Sequence, residues 1–281
     1  MTDGNGPVLV VGGTGKTGGR VVERLHARGV PVRVGSRSAS PPFDWADDAT
    51  WGPALRGASA AYVTYYPDLA VPGAPEAIEA LAGRALDVGV DRLVLLSGRG
   101  EEEAQRSEQV LQKLGGRWTV VRASWFCQNF SEGAFVDVVR SGDVALPAGD
   151  VPEPFVHAGD IADVAVAALT EPGHEERLYE VTGPRPLTFA EAIGEIARAS
   201  GRELRYEQVP MDAFTAGLAA AGQPADVVGL LRYLFGEVLD GRNAHVTDGV
   251  RQALGREPRD FGDYAREAAA AGAWDVGEAD R

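Results

Sequence analysis

Eleven residues near the amino terminus constrain this chain more than any other feature in it. Val8-Leu9-Val10-Val11 is a short apolar run that predicts a buried strand, and Gly12-Gly13-Thr14-Gly15-Lys16-Thr17-Gly18 follows at once. From Thr17 to Arg28 an apolar stripe of Val21, Val22 and Leu25 predicts a helix, which Gly29 closes. Strand, glycine loop and helix in that order form the context that a dinucleotide fingerprint requires. One glycine permits the tight turn, one lets the backbone approach a pyrophosphate, and one lets helix and strand pack closely. The helix N-terminus supplies unpaired N–H groups and a positive dipole end for an anion.

The same stretch imitates a nucleoside-triphosphate loop through Gly15-Lys16-Thr17. That motif needs a further glycine five residues before Gly15, where this chain has Val10 inside the strand. The strand predicted at Leu93 to Leu96 runs into Ser97, with no Asp to hold magnesium. A dinucleotide, and not a triphosphate, is the expected ligand. Its type is set after the second strand, predicted at Val30 to Val34. NAD binders place an acidic residue there for the ribose hydroxyls, whereas this chain reads Gly35-Ser36-Arg37-Ser38. A hydroxyl and a guanidinium suit a 2′-phosphate, so NADP(H) is expected over NAD(H).

Apolar runs and helical patterns continue to alternate, with strands at Ala60 to Thr64, Leu93 to Leu96 and Trp118 to Arg122. Between them lie helices at Pro75 to Val88 and, more polar, at Glu101 to Leu114. The pattern predicts an α/β chain, a Rossmann-type doubly wound parallel sheet with a smaller helix-rich C-terminal lobe. Asp160 is placed to cap a helix carrying Ile161, Val164, Ala165, Ala168 and Leu169, and Tyr179 to Thr182 predicts a strand returning to the main sheet. Thr188-Phe189-Ala190-Glu191 is a capping box. Helical patterns follow at Val227 to Leu239 and Phe261 to Ala268. The expected division is 1–150 for nucleotide binding, with 156–182 returning to it, and 183–281 for the smaller lobe over the carboxyl edge of the sheet.

Net charge is −14, which argues against a nucleic-acid partner; the expected partner is a small molecule. One cysteine excludes an internal disulfide, and four histidines with no two within five residues give no basis for a metal centre. The start Met-Thr-Asp-Gly-Asn-Gly-Pro lacks an export signal, and no apolar run spans a bilayer, so a cytoplasmic protein without a membrane partner is expected.

By its residues the chain resembles the NmrA-like atypical short-chain dehydrogenases/reductases. The likeness rests on the glycine loop, Ser36-Arg37, Phe43-Asp44-Trp45, Leu-Leu-Ser-Gly at 95–98, and Thr-Val-Val-Arg-Ala-Ser-Trp-Phe at 119–126. Gln128-Asn129-Phe130, Asp160-Ile161-Ala162-Asp163-Val164 and the tail from Ala253 to Phe261 extend it over nearly the whole chain. Within that family it looks most like bacterial relatives of the ergot-alkaloid (festuclavine and agroclavine) dehydrogenases, and more distantly like triphenylmethane reductase. The resemblance implies an extended short-chain-dehydrogenase fold and NADP(H) held by Gly12, Thr14, Gly15, Lys16, Thr17 and Gly18. It further implies that Asp44 and Trp45 flank the adenine, and that Thr64 and Tyr65 pass beside the ribose and pyrophosphate. Ser97 and Gly98 would edge the nicotinamide, with Ser124, Trp125 and Phe126 as its other wall.

Most short-chain dehydrogenases use Tyr-x-x-x-Lys to deliver a proton. The chain has two lysines: four residues before Lys113 stands Gln109, and Lys16 lies in the glycine loop. None of the seven tyrosines is four before a lysine, so that relay is absent. Two readings fit. One is a reductase of electron-poor substrates such as iminium ions, enones, quinones or cationic dyes, with Ser97, Tyr65, Tyr66, Trp125 and Asn129 as candidate catalytic or substrate-contacting residues. The other is a non-catalytic NADP(H)-binding redox sensor.

Overall fold

The computed structural model describes residues 6–133 and 135–276. In chain order β1 (Val8–Val11), α1 (Lys16–Ala27), β2 (Val32–Gly35), α2 (Trp51–Leu55), β3 (Ala60–Val63), α3 (Ala74–Asp87), β4 (Arg92–Gly98), α4 (Glu102–Leu114) and β5 (Arg117–Ala123) open the chain. They are followed by α5 (Val136–Ser141), β6 (Asp143–Leu146), α6 (Ala158–Thr170), β7 (Arg177–Val181), α7 (Phe189–Ser200) and β8 (Arg205–Gln208). Four helices come last, α8 (Met211–Ala220), α9 (Ala225–Tyr233), α10 (Gly249–Leu254) and α11 (Phe261–Ala270).

The contacts divide the chain into two compact units, Met1–Ala123 with Ala158–Val181 and Asp248–Arg256, and Ser124–His157 with Thr182–Thr247 and Glu257–Arg281. The first holds a six-stranded parallel sheet in the order β2-β1-β3-β4-β5-β7. Order reverses at β1, whose two neighbours are reached by crossovers in opposite directions, which makes the gap between β1 and β3 a switch point. Strands buried on both faces need continuous apolar runs, which is why Val8 to Val11 and Ala60 to Val63 show no alternation. Leu9, Val11, Ala61, Val63, Leu93 and Leu95 pack with Ile78 and Leu81 of α3 and Leu111 of α4 in one core. The helices α1 and α6 pack against each other, and α6 is buried along almost its whole length.

Three local expectations are corrected. The second strand starts at Val32, because Val30 donates its N–H to Leu25 O (3.0 Å) and Gly29 its own to His26 O (2.9 Å); both residues belong to the C-terminal cap of α1. Ser97 and Gly98 do not follow β4 but lie within it, paired with Arg122 and Ala123 of β5. Asp160 is not the cap of α6, which begins two residues earlier at Ala158; it lies in the first turn, fully buried.

In the second unit β6 and β8 form a two-stranded parallel sheet. Its core is aromatic, with Phe130, Phe155, Phe189, Phe261 and Trp274 all fully or almost fully buried. The helical pattern expected over Val227 to Leu239 resolves into α9 and a π-turn at Leu234–Val238. The capping box at Thr188 is present, its side chain accepting from the N–H of Glu191 (3.1 Å).

This division departs from the boundaries expected at 150 and 183. Residues 124–150 group with the second unit because Phe130, Phe135, Val144 and Leu146 supply its core. Residues 248–256 return to the first, where Gly249 packs against the Glu180 backbone so closely that a side chain would overlap it. Arg256 then binds both Asp160 (2.7 Å) and Asp163 (2.6 Å) of α6, and Arg24 of α1 reaches Asp163 as well (2.5 Å).

Candidate functional site

The glycine loop of the first unit is built as its spacing demands. Gly12 has φ +71°, a conformation side chains disfavour, and a Cβ there would collide with Thr64 Oγ1. Gly18 leaves no room either, because a Cβ would overlap the carbonyl of Gly12; its absence lets α1 press against the loop. Gly15 differs. Its φ is −87°, and an added Cβ would meet only Gly12 O, at 3.3 Å. Gly15 and Thr14 are exposed, and Thr17 and Gly18 are buried. The first turn of α1 carries no acidic residue and Gly15 provides no side-chain cap, so no carboxylate competes with an anion for the positive end of that helix. A bare helix end beside an exposed, unobstructed glycine fits a pyrophosphate.

Neighbouring strands complete the surround. Gly12 donates its N–H to Gly35 O (2.9 Å), which places the end of β2, and with it Ser36 and Arg37, beside the loop. Arg37 is exposed and makes no ion pair or hydrogen bond through its side chain with the described residues. Ser36 Oγ lies 3.3 Å from Ser38 Oγ. Asp44 is committed to its own turn, accepting the Ala46 N–H at Oδ1 (3.0 Å), while its carbonyl accepts from Trp51 Nε1 (2.7 Å). Trp45 donates Nε1–H to Thr64 O (3.0 Å), and its ring lies 4.7 Å from that of Tyr65. Trp45 thereby ties the segment after β2 to the end of β3. Tyr66, the next residue, is 76% exposed.

Ser97 is buried, and its hydroxyl donates to Glu108 Oε1 of α4 (2.6 Å). Arg122 of β5 grips the same carboxylate and also reaches Glu180 (3.3 Å), to which the buried Arg99 donates at 2.7 Å. Held in this ion network, the Ser97 hydroxyl is engaged structurally, and the guanidinium of Arg122 is held firmly in its charged form by Glu108. What β4 presents at its carboxyl end is the backbone of the part-exposed Gly98.

Ser124, Trp125, Phe126 and Asn129 lie in the second unit. Ser124 is buried. The Trp125 ring packs 5.0 Å from Phe235, 5.4 Å from Phe189 and 6.3 Å from Phe135, half-buried against the aromatic core. Backbone bonds between Trp125 O and Val156 N, and between Cys127 N and Val156 O, both 2.9 Å, fix the segment around Phe126. Asn129 sits in the short 3-10 turn Cys127–Phe130, where its N–H donates to Phe126 O (3.1 Å). The loop, Ser36-Arg37, Asp44-Trp45, Thr64-Tyr65 and Ser97-Gly98 thus share one unit, and the four aromatic-segment residues belong to the other.

Sequence reading passed over Asp68 and Glu101. Asp68 follows β3 and accepts the Ala70 N–H (2.9 Å); Glu101 follows β4 and precedes α4, with 9% of its surface exposed. The run Glu101-Glu102-Glu103 reads as a solvated helix start. The only signal to the contrary is the close spacing of Gly98 and Gly100, which lets the chain turn back on the strand end.

No family model matches the chain. Among curated proteins it is 30% identical to an NAD(P)H azoreductase of Xenophilus azovorans, over 94% of this chain and 98% of that one. It is 31% identical to agroclavine dehydrogenase of Claviceps fusiformis, over 92% and 96%. The triphenylmethane reductase of Citrobacter sp., solved in complex with NADP(H), shares the fold with a TM-score of 0.75 at 20% identity, over 93% of this chain and 99% of that one. Alignments this nearly end to end, on a parallel sheet opened by this glycine loop, place the chain in the NmrA-like family of atypical short-chain dehydrogenases/reductases.

Proposed function

We propose that the chain is an NADPH-dependent reductase that delivers hydride to an electron-poor small molecule without a Tyr-x-x-x-Lys relay. That it is an NAD(P)H-dependent oxidoreductase follows from its curated relatives. The observation that carries the cofactor choice is Arg37, exposed, unpaired and next to the loop, with no acidic residue at the end of β2 to repel a 2′-phosphate.

In this reading the amino-terminal end of α1, approached over Gly15, holds the pyrophosphate, Ser36 and Arg37 hold the adenosine phosphate, and the Trp45–Tyr65 pair borders the adenosine half. A bound reduced nicotinamide supplies a hydride, and the chain supplies position. An iminium ion or a cationic dye becomes neutral on taking hydride at carbon and needs no acid. The test is to mix the protein with NADPH and a panel of imines, enones, quinones and cationic dyes, following the nicotinamide absorbance. Oxidation with one class supports the reading. Tight NADPH binding with no oxidation by any class would sink it in favour of the redox-sensor alternative.

A further inference from the structure

Quinones and enones need a proton as well as a hydride, and the usual tyrosine is missing. Besides Glu108, which Ser97 and Arg122 engage, a second buried acid stands at the carboxyl end of the sheet, Glu101. The Glu101 carboxyl lies directly over Gly98, where a Cβ would collide with it. Its Oε2 is buried and has no hydrogen-bond partner among the described residues. An ionised oxygen left in that state would be very costly, whereas the carbonyl oxygen of a neutral acid tolerates it far better.

The charged groups facing Glu101 point the same way. Asp68 faces it from the segment after β3 and Glu108 from α4, while Lys16 at the start of α1 lies beside Asp68. Burial first, then the Asp68 charge and a hydrogen bond to Asp68, raise Glu101 well above the usual carboxylate range. Burial raises Asp68 too, opposed by the Ala70 N–H, by Glu101 and by Lys16. Both directions favour the neutral acid at Glu101 over one at Asp68, at the ends of β4 and β3.

We propose that Glu101, seated on Gly98 and backed by Asp68 and Lys16, is the acid that protonates reduced oxygen in this site. The assignment rests on the reductase reading. Once a quinone has gained a hydride equivalent, its anionic oxygen takes the Glu101 proton. The acid O–H bond breaks, the phenolic O–H forms, and the bonding pair stays on Glu101 as a carboxylate. Solvent returns the proton by way of Asp68. A cationic dye takes hydride alone and draws no proton.

The experiment has two readouts. Infrared spectra at about pH 7 are expected to show a protonated-carboxyl stretch in the wild type that Glu101→Gln removes; no such band would overturn the assignment. Turnover of NADPH with menadione and with crystal violet gives a quinone-to-dye rate ratio, expected to fall about 100-fold in Glu101→Gln. An unchanged ratio would overturn the proposal, since a merely structural acid would slow both probes alike. Gly98→Ala keeps the carboxyl but removes its seat, and is expected to lose both band and ratio, which covers failure of the glutamine variant to fold. If neither probe oxidises NADPH, the assignment of Glu101 as the acid for a quinone is overturned, while the reductase reading stands or falls separately on the imine and enone classes.

Discussion

The hydroxyl of Thr64 donates to the carbonyl of Val11 across 3.0 Å, so the end of β3 holds the end of β1 at the point where the glycine loop leaves it. The same oxygen occupies the space that a side chain at Gly12 would need. Thr64→Val is expected to lower stability by about 0.5–1.5 kcal/mol and to weaken NADPH, because the loop loses its peg. Thermal melts and calorimetry check both, and wild-type affinity would remove Thr64 from the site.

The two outer glycines and the middle one should behave differently. Gly15→Val is expected to abolish cofactor binding while leaving the melting temperature close to wild type, since only Gly12 O at 3.3 Å lies near the new side chain. Gly18→Ala, which overlaps the Gly12 carbonyl, is expected to cost roughly 1–3 kcal/mol or more in folding. If Gly15→Val unfolded the protein, the functional assignment of that glycine would be lost.

Arg37→Ala is expected to weaken NADPH by roughly 10- to 100-fold, the range for a lost hydrogen bond to a charged group, and NADH hardly at all. Isothermal titration with both cofactors decides it. Equal loss for the two would rule out the 2′-phosphate role.

Stability should fall as pH rises above the ordinary carboxylate range. There the folded chain keeps a proton on Glu101 that the unfolded chain has released, so the stabilisation is complete below the unfolded pKa and is lost as pH climbs through the raised one. Glu101→Gln is expected to flatten the decline of melting temperature with pH, leaving the smaller contribution from Asp68. A steeper decline in the variant would contradict the buried acid.

Much of this was legible in the residues because local rules and global fold agree. The seven residues from Gly12 to Gly18 gave the loop, the capping box at Thr188 gave α7, and Tyr179 marked the returning strand. What was not legible depends on distant partners. Ser97 reads as a site hydroxyl until Glu108, itself gripped by Arg122, is seen to engage it. Trp125 reads equally as a wall or as core, and three phenylalanines from other elements pack against it while it stays half-buried. Glu101 looks solvated because its neighbours in sequence are, and only the folding of the chain back over Gly98 buries it.

Arg256→Ala removes the guanidinium that joins Asp160 and Asp163, and is expected to cost about 1–3 kcal/mol, below the usual figure for a buried pair because Arg256 is 37% exposed. Denaturant unfolding measures it, and a neutral result would show that the pair contributes nothing net.

The return of residues 248–256 to the first unit also sets a rule for how the molecule is made and cut. A ribosome must have released Arg256 before the nucleotide half can close its last ion pairs, so that half cannot finish folding while the chain is still short. No single cut can separate the two units with each intact. An expression fragment ending near residue 182 would carry every residue of the glycine loop and still leave Asp160 without the arginine that grips it.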